Sequence, residues 1–148
     1  MKSKRKTPLS SGKAVAASEP EHARRFSQAR SARSSTILED YAELIADLLR
    51  EHGEARTTDI ARRLGVTHPT ATKAIGRLKR QGLAMSRPYR GIVLTTTGAA
   101  MAERVHARHR LVVEVLIAIG VPREAAETDA EGIEHYVSGV TLAAFEHY

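Results

Sequence analysis

The 148-residue chain has no cysteine and no tryptophan, and only 4% of its residues are aromatic. Without thiols there is no disulfide, no zinc–thiolate or iron–sulfur site and no cysteine nucleophile. With so few aromatics, the core must be built from Leu, Ile, Val and Ala within a hydrophobic content of 42%. That composition suits packed helices. No apolar run approaches the roughly 18 residues of a membrane span. The basic N-terminus lacks the apolar segment of a secretory signal. The expectation is a soluble, cytoplasmic chain with no membrane partner, forming one domain or two small ones that share a core.

Acidic residues are scarce in two stretches, and the formal charge of +6 is correspondingly uneven. Residues 1–36 hold nine Lys/Arg and two Asp/Glu, a balance of +7. Residues 37–54 hold one Arg and six acids, or −5. Residues 55–98 hold nine basic residues against Asp59 alone, or +8, and residues 99–148 hold four against eight, or −4. A folded stretch at +8 suggests a polyanionic partner. The acidic stretches beside it suggest something cationic, although solvated helix faces would show the same pattern.

Residues 1–20 are rich in Lys, Ser and Ala, with little to bury, and read as disordered. Residues 21–35 are compatible with a short basic helix. The division expected is a basic, largely disordered tail over 1–36, a first domain over 37–98 and a helical domain over 99–148. From Ile37 an apolar stripe at helical spacing runs through Tyr41, Leu44, Ile45, Leu48 and Leu49 to a stop at Gly53. RTTDIARRLGV (56–66) reads as a short amphipathic helix broken by Gly65. Thr67 caps a second helix with Pro69 in its first turn and Gly82 after its end. LAMS (83–86) and GIVLTT (91–96) read as two strands around RPYR (87–90). Helix, tight turn, helix and β-hairpin together form a winged helix-turn-helix pattern. A long helix over 95–120 follows, capped at Thr97, with Val105, Leu111, Val112, Val115, Leu116 and Ile119 on one side. Further helices are expected over 122–137 and after Ser138. The fold class is therefore mainly α: a winged helix-turn-helix followed by an all-helical domain.

In this pattern the second helix enters the major groove. Thr67, His68, Thr70, Thr72, Lys73 and Arg77 are the candidates for base or backbone contact. Arg77, Lys79 and Arg80 suit phosphates, and Arg87, Tyr89 and Arg90 occupy the tip of the wing. The partner expected is double-stranded DNA.

The acidic stretches carry a second constellation. Asp40 and Glu43 are spaced i, i+3, so they project from one helix face. Glu131, Glu134 and His135 are spaced i, i+3, i+4, and His109 lies on the intervening long helix. These six groups could converge between three packed helices. Singly, each has an ordinary alternative: a first-turn acid favoured by the helix dipole, a surface carboxylate, a histidine paired with a neighbouring acid.

From about residue 37 onward, the chain resembles the manganese-responsive branch of the diphtheria-toxin-repressor (DtxR) family of metal-dependent transcriptional regulators. DYAE (40–43), DIARRLGVTHPTATKAIGRL, YRGIVLTTTG, RHRLVVEVLIAIGV and DAEGIEHYVS (129–138) carry the resemblance. It implies a homodimer, two Mn(II) ions per subunit, and Asp40, Glu43, His109, Glu131, Glu134 and His135 as metal ligands. Asp40, Glu134 and His135 would mainly serve one ion, Glu43 and His109 the other, with Glu131 shared and Glu134 bridging. The iron-responsive branch has sulfur ligands at the positions of Asp40 and Glu131. The family often has His-His where this chain has His135-Tyr136, and Tyr136 is not expected to be a ligand. Four carboxylates and two imidazoles make a hard donor set that suits Mn²⁺.

The function implied is a Mn(II)-dependent repressor of manganese-transport genes, in which metal orders the dimer on a palindromic operator. The alternatives are an Fe(II)-responsive regulator and a metal-independent winged-helix regulator that senses a small molecule. A dinuclear metalloenzyme is the remaining rival, since paired carboxylates and imidazoles activate water. The sequence has no HExxH, no separate substrate domain and no general base outside the ligand set. Neither catalysis nor a small-molecule substrate is therefore expected.

Overall fold

The computed structural model describes residues 18–148. Of the disorder expected over residues 1–20, residues 1–17 lie outside that range, whereas Glu19 and Pro20 are already helical. Helix α1 (Glu19–His52) is 34 residues long, so the expected boundary at residue 36 falls inside one continuous helix. At its start the Glu21 carboxylate accepts from the Ser18 backbone N–H at 2.9 Å and from the Ser18 hydroxyl at 3.2 Å, an arrangement that satisfies free N-terminal donors. At its end Gly53 takes the left-handed conformation and bonds back to the Leu49 carbonyl. The buried stripe is Leu38, Tyr41, Ala42, Leu44, Ile45 and Leu48. Ile37, expected on this stripe, is instead exposed. The helix meets the core only from Leu38 onward, and Ile37 points away from it.

Helices α2 (Thr57–Leu64) and α3 (His68–Arg80) form the helix-turn-helix. The Thr67 hydroxyl accepts from the Thr70 N–H, and Gly65 makes the left-handed turn between them. Strands β1 (Ala84–Arg87) and β2 (Gly91–Leu94) pair antiparallel, with Ala84 opposite Leu94 and Arg87 opposite Gly91. The hairpin is tied to the segment after α1 by two bonds: Ala55 N–H to the Arg90 carbonyl and Ile92 N–H to the Ala55 carbonyl. Gly91 lies beside Ala55 at φ 73°, where a Cβ would strike the Ala55 carbonyl.

Helix α4 (Thr96–Ala118) starts from Thr95, not from the expected Thr97. The Thr95 hydroxyl accepts from the Gly98 N–H and donates to the Gly82 carbonyl at 2.6 Å. Among three consecutive threonines, only Thr95 reaches the end of α3. Helix α5 (Arg123–Ile133) stops earlier than expected, with Glu134 as its last helical-geometry residue and a turn through Tyr136. Helix α6 (Gly139–His147) is capped by Ser138, whose hydroxyl accepts from the Thr141 N–H.

Two cores result. The larger joins Leu38, Tyr41, Ile45 and Leu48 of α1 to Ile60, Ile75 and Leu78 of the helix-turn-helix and to Leu83 and Ile92 of the wing. The smaller joins Val112 and Val113 of α4 to Ala126 and Ala130 of α5. Helix α4 spans both: Met101 packs on the first core and Val112 builds the second. The expected division after residue 98 therefore falls within a shared helix.

Gly98 sits where a Cβ would overlap the Leu83 carbonyl, a backbone atom that cannot swing aside. Gly98→Ala should lower unfolding stability by about 1–3 kcal/mol, the usual cost of overpacking. Urea denaturation of the two proteins measures it, and equal midpoints would contradict this packing.

Candidate metal centre and nucleic-acid interface

Helix α1, the middle of α4 and the C-terminal end of α5 enclose a cluster of acids and imidazoles. Glu134 lies at its centre and is fully buried. Its Oε2 is 2.6 Å from His109 Nδ1 on α4, and its Oε1 faces His135 Nε2 at 3.4 Å. His135 Nε2 is also 3.0 Å from Asp40 Oδ1 on α1. His109 Nδ1 lies 3.7 Å from Glu131 Oε1. Five of the six expected residues are thus joined by one chain of contacts, Asp40–His135–Glu134–His109–Glu131.

Glu43 is the exception. Its Oε1 turns to His106 Nε2 at 3.4 Å, beside Asp47 Oδ1 at 3.3 Å. It still lines the same cavity of about 520 Å³ as Asp40, Glu131 and His135. That cavity has Asp47, Gly132 and Tyr136 in its wall and no Lys or Arg.

Four charged neighbours escaped the sequence reading. Glu39 Oε2 accepts from His135 Nδ1 at 2.8 Å and from Arg108 Nη2 at 2.8 Å. Glu127 Oε2 is 2.9 Å from His109 Nε2. His106 and Asp47 complete the group around Glu43. A signal existed for all four: Glu39 is four residues before Glu43, Asp47 four after it, Glu127 four before Glu131 and His106 three before His109, all same-face helical spacings.

The electrostatics follow from burial against pairing. Burial pushes the Glu134 carboxyl up to about 7, although both imidazoles oppose the shift. Hydrogen bonds to Asp40 and Glu39 push His135 up to about 10, against the desolvation that would lower it. Burial opposes the ionisation of Glu39, but His135 and Arg108 together hold its pKa below the ordinary carboxylate value. Glu43 is raised by burial first, then by repulsion from Glu131 and Asp47. His109 is raised by Glu127 and Glu134 in spite of its own burial.

The donor set suits a cation. Glu134 Oε1 is buried with no hydrogen-bond partner. A buried carboxylate oxygen left unpaired is costly, and here it is aimed at an imidazole nitrogen beside three further carboxylates. All the converging ligand atoms are oxygen or nitrogen.

On the far side of the larger core, α3 presents Thr67, His68, Thr70, Thr72, Lys73 and Arg80 to solvent. Thr67 and Thr70 are partly engaged with each other, Oγ1 to Oγ1 at 2.8 Å. Lys79 donates to the Ser86 hydroxyl at 2.6 Å, pinning α3 to β1. Arg77 is half-buried and donates to the Ser34 hydroxyl of α1 at 2.9 Å. Arg87, Tyr89 and Arg90 are exposed at the hairpin tip. Tyr89 is 92% exposed, and at φ 64° it is the one non-glycine residue with positive φ among the described residues. Its carbonyl accepts from Arg56 at 3.3 Å. A bulky residue held in that conformation at full exposure is strained without any gain in packing.

Comparison with known proteins agrees with this division of labour. Residues 34–92 match the iron dependent repressor N-terminal DNA binding domain, and residues 95–148 match the iron dependent repressor metal binding and dimerisation domain. The chain is 45% identical over 139 residues to the transcriptional regulator MntR of Escherichia coli O157:H7, an overlap of 94% of this chain and 90% of that one. It is 41% identical over 101 residues to the HTH-type transcriptional regulator MntR of Bacillus subtilis, covering 68% and 71%. Among solved structures, a manganese-dependent transcriptional repressor in complex with manganese superposes with a TM-score of 0.65 at 29% identity, over 74% of this chain and 50% of that one. The IdeR structure from T. acidophilum superposes with a TM-score of 0.63 at 30% identity, over 74% and 52%. The chain thus spans about half the length of these solved relatives. A DNA-binding domain followed by a metal-binding and dimerisation domain matches the order of the two parts of this fold, and the chain belongs to the iron-dependent repressor (diphtheria-toxin-repressor) family of metal-dependent DNA-binding transcriptional regulators, alongside its MntR-named members.

Proposed function

We propose that the chain is a Mn(II)-responsive repressor of manganese-transport genes, with Asp40, Glu43, His109, Glu131, Glu134 and His135 as its metal ligands. The observation that carries this reading is Glu134: fully buried, one oxygen on His109 and the other unpaired and facing His135. A site with only oxygen and imidazole donors suits Mn²⁺. The MntR names of the relatives and the manganese-bound solved relative point the same way. The Fe(II)-responsive reading is the alternative, and it draws on the match to the iron dependent repressor domains. The four carboxylates of this cavity, with no Lys or Arg beside Leu44, Leu64 and Tyr136, favour a cation over an organic ligand.

Two ions per subunit fit the division of contacts. His135 gathers Asp40 and Glu134, while His109 gathers Glu131 and Glu134, so Glu134 is common to both groups. Glu43, now on His106, lines one cavity with Asp40, Glu131 and His135.

When bound, the metal supplies positive charge to a cavity whose own carboxylates repel one another. Asp40 and Glu43 then hold α1 against Glu131, Glu134 and His135 at the end of α5. Because α1 packs directly on α2, α3 and the wing through Leu44, Ile45 and Leu48, fixing α1 fixes the recognition surface relative to the second domain. Phe145 on α6, with Leu111 and Val115 on α4, lines an open groove, and Ile119, Val140 and Tyr148 are exposed. A second copy seated there would place two recognition helices at a set distance, matching a palindromic operator. Thr67, His68, Thr70, Thr72 and Lys73 would face the groove, with Arg80, Arg87, Tyr89 and Arg90 on the backbone. Arg77 and Lys79 would act mainly by holding α3 to its neighbours. The acids and imidazole assigned this holding role link α1 to the end of α5, and we read the centre as a switch and not as a catalyst.

Two outcomes are expected. In fluorescence-anisotropy titrations with promoter DNA of manganese-transport genes, Mn²⁺ should raise affinity by at least about tenfold. Glu134→Gln should abolish that response while sedimentation still shows a dimer. Affinity independent of metal would refute the reading, and a stronger response to Fe²⁺ than to Mn²⁺ under anaerobic conditions would favour the alternative. Second, ligands must lose their protons to bind metal. With His135 held up to about 10 and Glu134 up to about 7, protons compete with the cation at neutral pH. Apparent Mn²⁺ affinity should therefore rise from pH 6 to pH 8, with proton release detected by calorimetry in buffers of different ionisation enthalpy. A flat profile would place the metal elsewhere.

A further inference from the structure

The first half of α1 belongs to neither core. Over residues 18–35 every side chain is exposed except those of Ala29 and Ala32, which are half-buried. The core-facing stripe begins only at Leu38. At about 1.5 Å per residue, this free stretch projects roughly 25 Å. A helix that long without packing is marginal in water, so a partner that covers it would stabilise it.

Three observations identify the partner. First, residues 22–36 contain Arg24, Arg25, Arg30 and Arg33 and no acid. Second, the arm is anchored to the recognition helix, because Arg77 of α3 donates to Ser34. The α1 face that carries Ser34 therefore continues the surface of α3. Third, helical spacing places Ser31, Arg30 and Ser27, at i−3, i−4 and i−7 from Ser34, on that same face. Arg24 and Arg33 flank it, and Arg25 lies opposite. Serine hydroxyls and arginines without carboxylates form a surface suited to phosphate oxygens. A second copy of this chain is a poorer occupant, since Phe26 is the arm's one large exposed apolar side chain.

We infer that residues 22–36 form a DNA-backbone clamp, in which the Ser27–Arg30–Ser31–Ser34 face of α1, flanked by Arg24 and Arg33, takes phosphates next to those met by the recognition helix. This rests on the DNA-binding reading above, and it adds a contact that neither the helix-turn-helix nor the wing provides.

The test uses the full-length chain in Mn²⁺ and a duplex that it selects from a random pool. The triple variant Arg24→Gln/Arg30→Gln/Arg33→Gln should bind about tenfold more weakly at 150 mM salt. Its plot of log affinity against log salt should flatten by about 2–3, since each lost phosphate contact removes about 0.9. Its preference for the selected duplex over a scrambled one should be unchanged, because the clamp reads no bases. Arg25→Gln should change affinity less than about twofold. Because the chain has no cysteine, Ser27→Cys supplies a single attachment point for a DNA-cleaving reagent. Cuts in the bound duplex are expected from it, and none from Arg25→Cys. The clamp is overturned if the triple variant matches wild type in affinity and salt slope, or if Ser27→Cys gives no cuts. It is also overturned if Arg25→Gln alone loses as much as the triple variant. A wild-type chain that binds duplex only without regard to Mn²⁺ defeats the metal reading and leaves the clamp measurable. One that binds no duplex defeats both.

Discussion

The pairing of Glu134 with two imidazoles is the constraint on which the second half of the molecule depends. Burying a carboxylate completely is unfavourable unless cationic or hydrogen-bonding partners compensate. Here the partners come from two directions. His109 reaches one oxygen from α4, and His135 approaches the other from the turn after α5. His135 is in turn held by Asp40 and Glu39 of α1. The buried charge therefore ties together three helices that share little apolar contact at that level, since the smaller core consists of Val112, Val113, Ala126 and Ala130. A polar network takes the place that large hydrophobic side chains would otherwise fill. Its one unpaired oxygen leaves the arrangement short of complete, which is the property a cation sensor requires.

Two helices carry this local chemistry to the DNA-binding surface. Helix α1 offers Asp40 and Glu43 to the centre and, on its other face, Leu44, Ile45 and Leu48 to the larger core. Helix α4 begins against the end of α3 through Thr95 and Gly98, and reaches His109 about three turns later. Neither can move at the centre without moving at the helix-turn-helix. The coupling needs no long pathway of side chains, because rigid helices with contacts at both ends suffice.

What could be read from the sequence was whatever depends on one helix at a time. The i, i+3 pair Asp40 and Glu43, the spacing of Glu131 and Glu134, the Thr67 cap and the paired strands around residues 87–90 are all local patterns. What was missed depends on how elements meet. Thr95, Thr96 and Thr97 are equally good caps in isolation, and only the Gly82 carbonyl selects Thr95. The end of α5 is set by the turn that lets His135 leave the helix for α1. The pairings of Glu39 with Arg108, and of Glu43 with His106 in place of the other ligands, arise from the crossing of α1 and α4, for which helical periodicity holds no information. Ile37 looked buried because it stands four residues before Tyr41, but the buried stripe ends instead on Leu38, three residues before Tyr41.

The unbroken α1 also changes the meaning of the charge pattern. Considered as blocks, residues 1–36 and 37–54 looked like a tail and a domain of opposite sign. In the fold, one helix is basic before Ile37 and acidic after it, with Arg77 of the recognition helix bonded near the point of reversal. The acidic half sits beside a DNA-binding surface with its carboxylates paired: Glu39 with His135 and Arg108, Asp40 with His135, Glu43 with His106, Asp47 with His106 and Arg50, and Glu51 with Arg63. An uncompensated cluster there would repel the same phosphates that the arginines of the basic half attract. Cation binding at the centre and attraction for a polyanion along the helix are thus linked through a single element. Lowering the negative charge of one half increases the net attraction exerted by the whole, even before any change of shape.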